Sequence, residues 1–80
     1  MQPRVKKANY LTDYKIELIF TNNEIREIDV APYLDFGVFK KLKDVNTFKK
    51  VKVSFGAIEW ECGVDLDPEF VWQKSIPKSL

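Results

Sequence analysis

The fold is decided at residues 60–69, which read Trp60-Glu61-Cys62-Gly63-Val64-Asp65-Leu66-Asp67-Pro68-Glu69. Trp60 closes an alternating strand, and Gly63 permits the positive backbone angle that a tight turn can require. Asp67 is suited to cap a helix, and Pro68 fits the first position of that helix. We therefore expect a strand, a turn and a helix from Pro68 to about Lys74, and we interpret this stretch as architecture rather than a reactive centre.

The segment immediately before this stretch predicts a hairpin. Apolar and polar residues alternate over residues 51–55 and again over residues 58–62, with Gly56-Ala57 between them. A two-residue loop that begins with Gly is typical of a type II′ turn. The opposing pairs in that register are Val53 with Trp60, Lys52 with Glu61, and Val51 with Cys62.

A second hairpin is predicted nearer the start of the chain. Residues 14–20 alternate between apolar and polar side chains, Thr21 to Glu24 form the reversal, and residues 25–30 return. We prefer a three-residue loop, because a two-residue loop would place Leu18 opposite Glu27 and put a charge on the buried face. The preferred register pairs Leu18 with Ile28 and Ile16 with Val30. Residues 4–11 are a weaker candidate strand at the sheet edge.

Between the hairpins the apolar period changes from two to three. The repeating residues are Phe39, Leu42, Val45 and Phe48, which suits short helical turns, and Asp44 is placed to cap one of them. The predicted fold is therefore α+β: a small antiparallel sheet of four to five strands built from two hairpins, with a short helical crossover and a C-terminal helix. We expect a single domain over residues 1–80, with a core over residues 5–75 and a frayed tail at 76–80.

Composition limits the range of functions. Eleven of the 80 residues are aromatic, which is many large side chains for a small interior, so some apolar area is expected at the surface, where it favours self-association or a protein partner. The net charge of +1 lacks the strongly basic balance of a dedicated nucleic-acid-binding domain. A single cysteine and the lack of a signal or membrane-spanning apolar run predict a cytoplasmic protein without a membrane partner.

The side chains offer little chemistry. There is no histidine, and the one cysteine cannot build a zinc site or pair within the chain. The carboxylates at Asp65, Asp67 and Glu69 lack the Gly and the bidentate Glu of a calcium-binding loop, and are better explained by the helix start. We therefore predict no catalytic, metal or cofactor-binding residues, no small-molecule substrate and no enzymatic activity.

Charge is distributed unevenly along the chain. Six lysines and one aspartate give residues 40–52 a charge of +5, whereas five acids and no base give residues 59–69 a charge of −5. One interpretation is a phosphate-contacting patch, which would bind nucleic acid without reading its sequence. We favour the other, in which the two blocks adjoin across the 51–62 hairpin and largely neutralise each other.

With these features in place, the chain resembles the small prokaryotic family known as domain of unknown function 2442 from about Val5 to Ser75. The resemblance lies in the Asn-rich turn at 21–24, in Ile28-Asp29-Val30 before Pro32-Tyr33-Leu34, and most specifically in Ile58-Glu59-Trp60 with residues 63–69. Glu61-Cys62-Gly63 stands where the family more often has Pro-Asn-Gly. The resemblance implies an α+β domain without established activity. Such families also occur joined to a helix-turn-helix segment, or encoded beside another small protein in the manner of toxin and antitoxin pairs.

Together these observations favour a cytoplasmic protein-interaction module, an antitoxin-like or regulatory member of a two-protein system. Tyr33, Phe36 and Trp72 are the side chains expected at its protein interface. The alternative is an accessory nucleic-acid-binding domain, whose candidate phosphate contacts are Lys40, Lys41, Lys43, Lys49 and Lys50.

Overall fold

The computed structural model describes residues 3–78 and has an α+β fold, as the sequence predicts. Seven strands form two antiparallel sheets rather than one: a four-stranded sheet of order β1-β2-β3-β7 and a three-stranded sheet of order β4-β5-β6. The first sheet consists of β1 (Val5–Tyr10), β2 (Lys15–Phe20), β3 (Ile25–Asp29) and β7 (Ile76–Pro77). The second consists of β4 (Lys52–Ser54), β5 (Ala57–Glu59) and β6 (Asp65–Leu66).

The β2–β3 hairpin has the three-residue loop and the buried faces that were predicted, but its predicted register is wrong. Leu18 lies opposite Arg26 instead of Ile28. The register depends on the last residue of such a loop, which must adopt the left-handed backbone conformation. Asn23 takes that conformation, at φ +69°, whereas the predicted register would have placed Glu24 there, and Asn is much the better tolerated. The shift is by two residues, so the side chains keep their faces.

The β4–β5 hairpin is also shifted by two residues from its predicted register. Its turn is Phe55-Gly56, with φ of +52° and +80°, so it is a type I′ turn in place of the predicted type II′ turn at Gly56-Ala57. Gly56 packs against the side chain of Arg4, where a Cβ atom would come within 2.7 Å of the Arg4 Cβ. The opposing pairs are therefore Val53 with Ile58 and Lys52 with Glu59, not Val53 with Trp60 and Lys52 with Glu61.

Residues 60–69 form a strand exit, a turn and a helix start. The Trp60 amide donates to the Val64 carbonyl at 2.9 Å, which closes a three-residue loop whose last residue, Gly63, has φ +95°. Cys62 lies in this loop, so the prediction that it stands at a strand end opposite Val51 is wrong. The Asp67 side chain accepts from the Phe70 amide at 2.7 Å, which confirms the predicted helix cap.

The crossover between the sheets is helical, as its period of three predicts. Two 3₁₀ helices span Ala31–Tyr33 and Gly37–Lys43, and helix α1 spans Val45–Phe48. The Asp44 side chain caps α1 by accepting from the Asn46 amide at 2.9 Å, which confirms the prediction for Asp44. Helix α2 then spans Pro68–Lys74, as predicted.

Residues 76–78 of the predicted frayed tail pair with β3. Ile76 and Pro77 form β7, which pairs with Glu27 and Arg26 of β3, and the Lys78 amide donates to the Ile25 carbonyl at 3.0 Å. Residues 79–80, the rest of the predicted tail, lie outside the described residues. Within residues 3–78, no helix has the length and apolarity needed to cross a membrane.

A single core joins the two sheets and the helices. Trp60 is 1% exposed, and its indole Nε1 donates to the Phe48 carbonyl at 2.9 Å. The Phe48 ring stacks on Trp60 at 5.6 Å and meets Tyr10 and Tyr14 edge to face. Trp60, which directly follows β5, therefore holds α1 against the sheets.

Candidate interaction surface

A concave apolar surface lies where the crossover, β6 and α2 meet. Its volume is about 300 Å³, at the lower end of the range for ligand-binding cavities. We call it the aromatic groove. Its lining residues are Tyr33, Phe36, Phe39, Asp65, Leu66, Asp67 and Phe70.

The rings reach the aromatic groove because the crossover turns sharply at Gly37, whose φ is +52°. Tyr33 ends the first 3₁₀ helix, Phe36 stands at the cap of the second, and Phe39 lies within the second. From the other side, Phe70 on α2 meets Tyr33 edge to face at 5.4 Å between ring centroids. Three short elements therefore hold the walls of the groove in place.

Phe36 is the exposed member of this set. It is 66% accessible to solvent, whereas Tyr33, Phe39 and Phe70 are half-buried and Leu66 is buried. When a partner covers an exposed apolar side chain, the free energy falls by about 25 cal/mol per Å² of apolar area removed from water. Phe36 is thus the residue of the groove that has most to gain from a partner.

The rim of the aromatic groove is acidic. One oxygen of the Asp67 carboxylate caps α2, and neither Asp65 nor Asp67 forms an ion pair with any residue in the range 3–78. Both side chains are exposed. An apolar or aromatic group with a cation beside it would complement such a rim.

Of the three predicted interface residues, the structure brings Tyr33 and Phe36 together but not Trp72. Trp72 packs edge to face on Phe20 at 5.0 Å and lies under the guanidinium of Arg26, which is 4.2 Å from the ring centroid. It does not line the aromatic groove. Its role here is to attach α2 to the four-stranded sheet.

The five lysines proposed as phosphate contacts differ in their surroundings. Lys43 pairs with Asp35 at 2.6 Å, and this ammonium group lowers the pKa of the Asp35 carboxyl below its usual value. The Lys41 ammonium lies 3.5 Å from the Cys62 carbonyl. Lys40, Lys49 and Lys50 are exposed and form no ion pair with residues 3–78.

The two charged blocks meet only in part. Lys52 and Glu59 face each other across the β4–β5 hairpin, but none of the ion pairs among residues 3–78 joins the 40–52 segment to the 59–69 segment. The expected neutralisation therefore does not take the form of direct ion pairs.

Sequence reasoning did not identify Phe39 and Phe70 as parts of the site, or Arg26 as a structural residue. Phe39 belongs to the predicted helical period and Phe70 to the predicted C-terminal helix, and no pattern connects two such distant rings. Arg26 had a signal: it shares the face of Ile28 and Val30, so it is a charge on the core side of β3. Such a position needs partners, which here are Glu24, Trp72 and Ser75.

No group of three His, Cys, Asp or Glu side chains within residues 3–78 is placed to hold a metal ion. The chemistry of the aromatic groove is therefore that of its rings and its two carboxylates.

Comparison with known proteins identifies a family and no closer relative. No curated protein and no solved structure matches the chain. The family model described as "Protein of unknown function (DUF2442)" matches residues 5–77. With nearly its whole length matched, including the 60–69 stretch and the residues of the aromatic groove, the chain belongs to that family.

Proposed function

We propose that the protein is a cytoplasmic protein-interaction module, without enzymatic activity, whose aromatic groove receives an apolar or aromatic side chain of a protein partner. The observation that carries the proposal is the position of Phe36, which is 66% exposed on the wall of a concave surface lined by three further rings. Aromatic residues at concave sites are typical anchors of protein interfaces.

Strand edges are less suitable for contact than the aromatic groove. The edge strand β7 has two residues, one of them proline, and β6 also has only two. The other edges, β1 and β4, carry the exposed lysines Lys6, Lys7 and Lys52. Short strands, proline and lysine all discourage the addition of a further strand. This favours side-chain contact at the groove over main-chain pairing.

The proposed partner is a second small protein encoded beside this one. The resemblance to families in which a small domain is encoded beside another small protein, as in toxin and antitoxin pairs, supports this. In such a system this chain would be the antitoxin-like or regulatory member, because its side chains provide contact surface rather than reactive groups. The acidic rim of the groove favours a partner segment that carries a cation next to an apolar side chain.

The substitution Phe36→Asp is expected to weaken partner binding by about thirtyfold or more, the loss typical of an interface hot spot. The measurement is co-expression with the product of the adjacent gene, followed by affinity purification and titration. The control is Val38→Asp, which adds the same charge two residues away at a site that is 58% exposed and does not line the groove. Equal losses for both variants, or none for Phe36→Asp, would count against the groove.

An accessory role in nucleic-acid binding is the second candidate, favoured by the lack of ion-pair partners for Lys40, Lys49 and Lys50 among residues 3–78. If the groove is the functional surface, gel-shift titrations with duplex DNA should show no appreciable binding even at low salt. Binding that falls by orders of magnitude between about 50 and 200 mM salt, and is lost on replacing these three lysines with alanine, would support the second candidate instead.

A further inference from the structure

Phe55 at the tip of the β4–β5 hairpin is the most exposed large apolar residue among those described. Its side chain is 93% accessible, and its backbone is in the left-handed region at φ +52°. Type I′ turns strongly prefer Asn, Asp or Gly at this position, because a bulky side chain is strained at positive φ. Neither local turn chemistry nor burial in the core explains a phenylalanine here.

The hairpin tip is held rigidly. The Arg4 guanidinium donates to the Phe55 carbonyl at 2.6 Å, and the Val5 amide donates to the Gly56 carbonyl at 2.9 Å. The Arg4 side chain also packs against Gly56. These contacts fix the backbone of the turn, so the backbone at Phe55 has little conformational entropy left to lose on binding.

We propose that Phe55 of one copy of this chain enters the aromatic groove of a second copy; this inference rests on the proposed role of the groove as a contact surface. Size agrees, because a groove of about 300 Å³ suits one large side chain. Charge also agrees: Phe55 carries the Arg4 cation beside it, and the groove carries Asp65 and Asp67 on its rim. None of these three charged residues forms an ion pair with residues 3–78.

The position of Asp65 fits a reciprocal contact. Asp65 lines the aromatic groove and also a second, shallower depression beside Phe55, formed with Ser54, Ala57 and Glu59. Phe55 and the groove are therefore neighbours on one side of the molecule. A two-fold arrangement in which each Phe55 enters the other copy's groove closes the assembly as a dimer with two identical contacts.

The test is the dissociation constant of the full chain, measured by sedimentation equilibrium for the wild type, Phe55→Asn and Phe36→Asp. Phe55→Asn creates the Asn-Gly pair that a type I′ turn prefers, so the melting temperature of the monomer should rise or stay unchanged. Dimerisation of this variant should nevertheless weaken at least about tenfold, and Phe36→Asp should behave in the same way. Val38→Asp should dimerise like the wild type.

Mixing the two variants shows whether Phe55 and the groove contact each other or whether the two substitutions weaken dimerisation for unrelated reasons. The Phe36→Asp chain keeps its Phe55 and the Phe55→Asn chain keeps its groove, so an equimolar mixture regains one of the two contacts and should dimerise more tightly than either variant alone. A wild type that stays monomeric, a Phe55→Asn variant that dimerises normally, or a mixture that dimerises no more tightly than the separate variants would each overturn the inference. If Phe36→Asp then still failed to bind the product of the adjacent gene, the proposed function would keep its support. The dimer and the proposed function can therefore fail separately.

Discussion

Replacing Trp60 with alanine is expected to lower the free energy of unfolding by about 3–5 kcal/mol, the usual cost of deleting a fully buried tryptophan side chain. The indole is 1% exposed and stacks on Phe48, so its removal leaves a cavity between α1 and the two sheets. It also removes the donor to the buried Phe48 carbonyl. Because a domain of this size has a total stability of about 4–12 kcal/mol, this loss is a large fraction of the total. Urea denaturation followed by far-ultraviolet circular dichroism measures the change.

The variant Trp60→Phe separates the two contributions. It keeps a ring against Phe48 but lacks the indole N–H, so we expect a loss of about 1–3 kcal/mol, from the lost hydrogen bond and the smaller ring together. Phe36→Ala is the control for an exposed aromatic residue and should change stability by no more than about 0.5 kcal/mol. A cost below about 1 kcal/mol for Trp60→Ala would contradict its central place in the core.

Replacing Arg26 with alanine is expected to cost about 2–4 kcal/mol, although the residue lies at one end of a strand. Its side chain is 12% exposed, and its guanidinium donates to Glu24 at 2.6 Å and to the hydroxyl and carbonyl of Ser75 at 2.7 and 2.8 Å. It also lies over the Trp72 ring. Hydrogen bonds to charged groups contribute about 1.5–3 kcal/mol, and unpaired partners add a further cost.

The effect of Arg26→Ala should be strongest at the end of the chain. Arg26 fixes the residues that follow α2, so amide exchange at Ser75 and Lys78 should accelerate more than exchange in β2. Arg26→Lys keeps the charge but cannot reproduce the planar fork, and should recover less than half of the lost stability. Full recovery by lysine, or uniform acceleration across the chain, would show that the geometry of this contact does not matter.

Which faces are buried follows from the sequence, but which residues oppose each other does not. The alternation of residues 14–20 identified Ile16, Leu18 and Phe20 as core residues, and all three are fully buried. Register depends instead on which residue adopts a positive φ. Asn23 is a reasonable candidate from its chemistry, whereas Phe55 is not, because local preference argues against it. The register of the second hairpin was therefore beyond local reasoning.

The residues of the candidate site are likewise only partly predictable from the sequence. Tyr33 and Phe36 stand close together in the crossover, and both line the aromatic groove. Trp72 does not join them, because it is two positions from Phe70 on α2 and residues at that spacing point to different sides of a helix. Phe70 faces Tyr33, while Trp72 faces Phe20 and Arg26. Only the tertiary arrangement decides which of the two rings reaches the groove.

The most direct test of whether the aromatic groove is the functional surface is a side-by-side binding measurement on two variants. One is Phe36→Asp; the other has alanine at Lys40, Lys49 and Lys50. With the proposed partner, the product of the adjacent gene, and duplex DNA as separate ligands, we predict that Phe36→Asp loses the protein ligand and that the lysine variant retains it. Loss of binding only in the lysine variant, or unchanged protein binding by Phe36→Asp, would contradict the proposal.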